Sequence, residues 1–136
     1  MTAKEYLNTA RYIEQGIKNM SSQLESLRAL AVNVSPVYSS TPHASTRNIY
    51  KTENIIINIL DLENKIEKES IKFSKIHKTI NNLCDPMKEA ILINRYIKGL
   101  YWDDIAYDLK ISVRRAYQIH REALAEVDKI LSKNLQ

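Results

Sequence analysis

The stretch "YWDDIAYDLKISVRRAYQIHREAL", residues 101–124, holds two short amphipathic patterns separated by a turn. The first pattern is acidic, and the second begins with basic residues. Apolar residues at three- and four-residue steps predict a helix for each pattern. Two helices joined by a short turn, with the second beginning in basic residues, are typical of a helix-turn-helix unit.

The packing of such a unit can be predicted from its apolar positions. Ile105 and Ala106 are expected to face inward, and Ala106 must be small because the second helix crosses there. Ala116 and Ile119 are expected to pack back onto them. Ser112 stands where a side-chain oxygen can cap the second helix. The remaining side chains of that helix are therefore left on its outer face.

That outer face carries residue types suited to nucleic acid. Arginine fits guanine or phosphate, glutamine fits adenine, and tyrosine offers a hydroxyl or an apolar face toward thymine. A purely structural three-helix bundle would alternate apolar and polar residues in the same way. However, two arginines near a helix start oppose the helix dipole, which favours a role toward a partner. The outward residues are Arg114, Arg115, Tyr117, Gln118 and Arg121.

A third helix is predicted immediately before this pair. Asp85 is a good N-cap, and Pro86 is pre-shaped for the first helical position. Gly99 then ends the helix at the position where a left-handed backbone is usual. Residues 85–136 are therefore predicted to form a three-helix, helix-turn-helix DNA-binding domain.

The N-terminal part, residues 1–84, is predicted to form a long antiparallel helical hairpin of the coiled-coil type. A heptad-like apolar seam runs from Ala3 to Val34, and a second runs from Ile55 to Leu83. Between them, a segment rich in Ser, Thr and Pro predicts a mobile loop at about residues 33–47. The fold class is therefore all-α.

The second long helix has more apolar surface than one seam needs. Ile56, Ile57 and Leu60 lie outside its main seam and require cover. A second copy or the C-terminal domain could supply that cover. We expect a homodimer through the N-terminal helices, while the pairing of the first helix, within or between chains, stays open.

Composition and charge limit the remaining choices. A chain of 136 residues has room for one small domain and a helical extension. The net charge of +4 permits an anionic partner without demanding one. One cysteine, Cys84, cannot form an internal disulfide, and no apolar run reaches the length of a membrane span. We therefore expect a cytoplasmic protein with no membrane partner.

The sequence "NRYIKGLYWDDIAYDLKISVRRAYQIHREAL", residues 94–124, resembles the DNA-binding fourth region of primary bacterial sigma factors. An Ile-Ala pair, a hydrophobic turn with a Ser cap, and a Gln-Ile pair followed by Ala-Leu recur there at this spacing. The layout of the whole chain is similar to that of ArpU- and RinA-like late-gene transcriptional regulators from phages of Gram-positive bacteria. The resemblance implies a phage-encoded protein that acts in the cytoplasm of a bacterial host.

The resemblance also implies roles for single residues. Contacts to promoter bases fall on Val113, Arg114, Tyr117 and Gln118, and Arg115 and Arg121 would meet phosphate. Val113 and Arg114 depart from the residues common in primary sigma factors, so a target other than the ordinary minus-thirty-five element is expected. Two further departures are Lys110, where glycine is usual, and Tyr101, where a Thr or Ser cap is usual.

Other candidate sites are set aside. The carboxylates of Asp103, Asp104 and Asp108 lie in one helix, where acidic residues near the start match the dipole. The three histidines, His43, His77 and His120, lack partners at metal-ligand spacing. We therefore expect no catalytic residues, no metal and no cofactor, and a protein that is not an enzyme. His120 is expected to touch backbone phosphate or nothing.

The sequence favours a transcriptional regulator that binds double-stranded DNA sequence-specifically, with the helix from Ser112 in the major groove. RNA polymerase is a possible further partner. One alternative is a protein–protein adaptor that acts on RNA polymerase or a sigma factor through the long helices. Another is a phage DNA-packaging recognition subunit, which also joins a helix-turn-helix to oligomerising helices.

Overall fold

The computed structural model describes residues 1–33 and 42–134, with the backbone alone for residues 33 and 42–50. Every regular element in these ranges is helical, which confirms the all-α prediction. The chain forms α1 (Ala3–Asn33), α2 (Pro42–Asn81), α3 (Pro86–Leu92), a π-helical segment (Ile93–Ile97), α4 (Trp102–Leu109) and α5 (Val113–Asn134).

The start of α2 corrects the predicted loop at about residues 33–47. The helix begins at Pro42, so residues 42–47 are helical. Proline is well tolerated in the first helical turn, because its missing N–H would have no partner there. The Ser/Thr-rich composition therefore led us to extend the loop too far. Residues 34–41, the rest of that prediction, lie outside the described ranges.

The chain divides into two compact units. One, here called the terminal unit, joins Met1–Glu14 to Ile71–Gln136. The other, the mid-chain unit, is Gln15–Ser70. The terminal unit therefore combines the predicted helix-turn-helix region with the first turns of α1 and the last turns of α2, which the sequence interpretation had placed in the N-terminal hairpin.

The terminal unit has a hydrophobic core that draws on five helical segments, namely α1, α2, α3, the π-helical segment and α5. Leu7 of α1, Ile80 of α2 and Leu92 of α3 are fully buried in it. Val127 from the second half of α5 is also fully buried there. Burying a large aliphatic side chain contributes about 1.5–3 kcal/mol. The long helices thus serve as structural support for α5.

The two long helices run antiparallel, as predicted. In the terminal unit, the hydroxyl of Tyr6, early in α1, lies 3.4 Å from that of Thr79, late in α2. In the mid-chain unit, Arg28 donates to Glu63 at 2.9 Å. The partner residue on α2 moves back from Thr79 to Glu63 as the position on α1 advances from Tyr6 to Arg28, which is the antiparallel order.

The mid-chain unit leaves an apolar surface exposed on α2. Ile56, Ile57 and Leu60 are 47%, 56% and 53% exposed. Each of these side chains thus keeps about half of its surface exposed. The prediction that they lie outside the main seam is confirmed, and the homodimer stays a prediction.

The helix before the candidate site begins as predicted and ends differently. Asp85 accepts hydrogen bonds from the backbone N–H of Met87 at 3.0 Å and of Lys88 at 3.4 Å, which confirms it as the N-cap. The last turn widens into the π-helical segment, where Lys98 N–H donates to the carbonyl of Ile93 at 2.9 Å. Gly99 follows with φ of +70°, as its predicted terminating role requires.

Candidate nucleic-acid interface

The helices α4 and α5 pack as the sequence predicted. Ile105 is 0% exposed and Ala106 4% exposed on α4, while Ala116 is 0% and Ile119 4% exposed on α5. Together with Ile91 of α3 they form a second core cluster in the terminal unit. The small side chains of Ala106 and Ala116 are buried in the same cluster, which suits a close crossing of the two helices. α5 is therefore fixed along one side.

The turn between α4 and α5 is a tight C-cap motif. The N–H of Ile111 donates to the carbonyl of Ala106 at 3.0 Å, and that of Lys110 donates to the carbonyl of Tyr107 at 3.2 Å. This pair of bonds is the Schellman arrangement, and Ile111 and Ala106 both pack in the second core cluster. Lys110 holds the left-handed position with φ of 57°. A residue other than glycine at this position lowers the free energy of unfolding by about 1 kcal/mol.

Two further local predictions concern the helix starts. Ser112 Oγ accepts from the N–H of Arg115 at 3.0 Å, so Ser112 caps α5 as expected. Tyr101 occupies the N-cap position of α4 and forms no side-chain cap bond. The acidic side chains of Asp103 and Asp104 in the first turn of α4 are favourable there instead.

The outer face of α5 carries the predicted contact residues. Arg114, Gln118 and Arg121 are spaced four and three residues apart, so they form one stripe along the helix. Arg114 and Arg121 are exposed, and Gln118 is half-buried. Neither arginine forms an ion pair within the described part of the chain. Both guanidinium groups are thus open to a partner.

The other three predicted contact residues lie to either side of that stripe. Arg115 is exposed, and its guanidinium donates to Gln118 Oε1 at 3.3 Å. Tyr117 is 44% exposed, with one side of its ring against Trp102. Val113 is half-buried, and its side chain packs on the second core cluster. Val113 therefore has less surface available for a partner than the arginines.

An aromatic cluster, here defined as Tyr96, Trp102, Tyr117 and His120, joins the flank of α5 to the preceding elements. The Trp102 ring lies 4.7 Å from the ring of Tyr117 and 4.7 Å from that of His120. The guanidinium carbon of Arg95 lies 5.2 Å from the centre of the Trp102 ring, within the range of a cation–π contact. Trp102 thus positions Tyr117, one of the predicted contact residues.

The position of His120 corrects the expectation that it touches phosphate or nothing. Its Nε2 lies 2.6 Å from the Tyr96 hydroxyl, and the two rings are stacked at 5.7 Å. Burial lowers the pKa of His120 from 6.5 to about 4, and the charges of Lys4 and Arg95 act in the same direction. Burial also raises the pKa of the Tyr96 hydroxyl. His120 is therefore a neutral packing residue at neutral pH.

The sequence interpretation missed Arg95 and underrated Trp102 and His120 as supports of α5. The ring of Trp102 contacts two side chains of α5, those of Tyr117 and His120. Sequence spacing gives the face of each helix but not which side chains meet across a turn. The nearest available signal was the recurrence of aromatic residues on either side of the predicted turn.

The residues set aside as other sites have the following surroundings. Within the described residues, no group of three or more His, Cys, Asp or Glu side chains could hold a metal ion. His77 is half-buried, and its ring centre lies 5.4 Å from that of Phe73. Cys84 is exposed and unpaired by a disulfide. The side chain of His43 lies outside the described part of the chain.

No helix among the described residues combines the length and apolar character needed to cross a membrane. This finding agrees with the absence of a long apolar run from the sequence.

Comparison with known proteins places the chain in a family. Residues 35–128, more than half of the chain, match the family model described as "Protein of unknown function (DUF1492)". The chain belongs to the DUF1492 family. Neither the curated proteins nor the solved structures include a significant match. The matched range of this DUF1492 protein includes α4, the turn and the first sixteen residues of α5.

Proposed function

We propose that this DUF1492 protein is a non-enzymatic transcriptional regulator, encoded by a phage, that binds double-stranded DNA sequence-specifically in the cytoplasm of a bacterial host. α5 enters the major groove with its first turns. The long helices join two copies into a homodimer and offer a surface to RNA polymerase. The resemblance of residues 94–124 to the fourth region of sigma factors supports this function.

The observation that carries the proposal is the outer stripe of α5. Arg114, Gln118 and Arg121 project from a helix whose opposite face is fixed by Ala116 and Ile119 in the core. A helix held in this way presents its side chains without further ordering, which lowers the entropic cost of binding. The major groove is wide enough to admit such a helix.

The side chains divide between base reading and phosphate binding. Arg114 and Gln118 lie in the first turns, and they suit guanine and adenine edges. The hydrogen bond from Arg115 occupies one lone pair of Gln118 Oε1. The second lone pair and the amide N–H groups of Gln118 stay available for adenine. Arg115 and Arg121 meet backbone phosphates. The ring of Tyr117 lies beside thymine, supported by Trp102.

The test is the affinity of the purified full chain for a mixed-sequence DNA duplex, measured by fluorescence anisotropy at several salt concentrations. Arg115→Ala and Arg121→Ala should each weaken binding and lower the slope of log affinity against log salt by about 0.9. Lys133→Ala, at the far end of α5, is the matched control and should leave the slope unchanged. An unaltered protein that binds no duplex at low salt would refute the proposed function.

A second candidate is a protein–protein adaptor that acts on RNA polymerase or a sigma factor. The observation in its favour is the apolar surface of Ile56, Ile57 and Leu60, each about half exposed. A triple substitution of these residues by Ser, with α5 unchanged, separates the two functions. The adaptor is favoured if the unaltered protein has no affinity for DNA and the triple variant loses binding to RNA polymerase. A ring-sized oligomer in light scattering would favour the DNA-packaging subunit.

A further inference from the structure

The first turn of α1 lies against α5, close to its proposed DNA-binding stripe. The backbone N–H of Ala3 donates to Asp128 Oδ1 at 2.8 Å. Asp128 follows Arg121 by seven residues, which is two helical turns, so the two lie on the same side of α5. The start of α1 is therefore placed where the outer stripe of α5 continues.

The exposed face of α1 beside this contact is basic. Lys4, Asn8 and Arg11 are exposed and spaced four and three residues apart, so they lie on one face. The charge of Lys4 reaches His120 on α5, where it disfavours the protonated ring. Arg95 acts on His120 in the same sense. One cation from α1 and one from the π-helical segment thus lie near enough to α5 to act on His120.

Arg11 packs against the turn that leads into α4. A Cβ built on Gly99 would lie only 2.9 Å from Arg11 Cζ, so the guanidinium rests directly on the glycine. Glycine adopts the φ of +70° there without steric cost, and its missing Cβ leaves room for the Arg11 guanidinium. On the other side of the turn, Arg95 donates to the carbonyl of Leu100 at 3.0 Å.

Within the described residues, Lys4, Arg11 and Arg95 form no ion pair with a carboxylate. Three unpaired positive charges, of which Arg11 and Arg95 lie at the turn before α4, raise the local potential and attract anions. A protein that neutralises several phosphates with such side chains gains affinity by releasing counterions from DNA.

We propose that Lys4 and Arg11 of α1, with Arg95, form an accessory phosphate-binding strip that contacts the DNA backbone beside the groove entered by α5. This inference rests on the proposed function. The strip widens the contact with DNA without reading bases, because it lies outside the stripe of Arg114 and Gln118. The start of α1 thus has a role in DNA binding as well as in packing.

The test uses the full chain and the same mixed-sequence duplex. The double variant Lys4→Gln/Arg11→Gln should lower the slope of log affinity against log salt by about 1.8, because two phosphate contacts are lost. The affinity should fall most at about 50 mM salt and the difference should narrow toward about 200 mM. Lys75→Gln/Lys78→Gln, which removes two exposed lysines of α2, is the control matched in charge.

A structural role for Arg11 must be separated from DNA binding. The charge-retaining variant Lys4→Arg/Arg11→Lys should keep the slope of the unaltered protein, and thermal unfolding of all variants shows whether the fold persists. Two outcomes would overturn the strip alone. One is an equal fall in slope for Lys4→Gln/Arg11→Gln and for the control Lys75→Gln/Lys78→Gln. The other is no fall for Lys4→Gln/Arg11→Gln while the unaltered protein binds DNA. No binding by the unaltered protein would overturn the proposed function and the strip together.

Discussion

Replacing His120 with glutamine should remove part of the pH dependence of folding stability. His120 is held neutral by burial beside Tyr96, so its pKa in the folded chain is about 4, against an ordinary value of 6.5. Between these values the unfolded chain binds a proton that the folded chain does not bind. The free energy of unfolding therefore falls as the pH is lowered from about 6.5 to about 4, and this group adds no further change below that pH.

The size of the effect follows from the two pKa values. At about 1.36 kcal/mol for each tenfold change in a protonation constant, the difference between 6.5 and about 4 amounts to at most about 3.4 kcal/mol. The His120 ring is only half-buried, so solvent screens part of the interaction, and we expect about 1–2 kcal/mol. Glutamine keeps a polar group near the Tyr96 hydroxyl but cannot take up a proton in this range.

The assay is urea unfolding of the full chain and of His120→Gln at pH values from about 7.5 to about 4.5. The protonation of carboxylates lowers the stability of both proteins and cancels in their difference. That difference should shrink by about 1–2 kcal/mol as the pH falls, because only the unaltered chain carries the histidine penalty. A difference that stays constant with pH would refute the burial of a neutral His120 in the aromatic cluster.

Three further predictions concern stability, each measured by urea unfolding at neutral pH. Lys110→Gly should stabilise the chain by about 1 kcal/mol, because glycine accepts the left-handed backbone at no steric cost. Asp85→Ala should destabilise it by about 0.5–2 kcal/mol through loss of the N-cap bonds, with Asp85→Ser as the conservative control. Leu7→Ala should cost about 2–5 kcal/mol, whereas Leu30→Ala, at a half-exposed position, should cost little; similar losses at both positions would contradict the assigned core.

The elements set by local chemistry could be predicted from the sequence. Asp85 caps α3, Gly99 ends the segment that follows, and Ser112 caps α5, because each depends on a residue's own backbone preference or short side-chain reach. The inward faces of α4 and α5 were also predictable. The helical period places Ile105 and Ala106 on one side of α4, and Ala116 and Ile119 on one side of α5.

Features that depend on contacts between distant elements could not be predicted in this way. Leu7 is fully buried although it lies beside the heptad seam, because the second half of α5 also packs against α1. The spacing of apolar residues along α5 did not show that His120 is packed. Its environment is set by Tyr96 and Trp102, which come from other elements. The helical state of residues 42–47 required weighing Pro42 as a helix start against a polar, loop-like composition.

The central claim is that α5 reads a DNA sequence through Arg114 and Gln118. Its most direct test is a selection of fragments bound from phage and host genomic DNA, at near-physiological salt, by the unaltered chain and by Arg114→Ala/Gln118→Ala. The account predicts that the unaltered chain enriches one short motif upstream of a gene block, and that the variant loses this preference by about 1–3 kcal/mol per altered contact while keeping general affinity. Enrichment of no motif, or of the same motif to the same extent by both proteins, would contradict it.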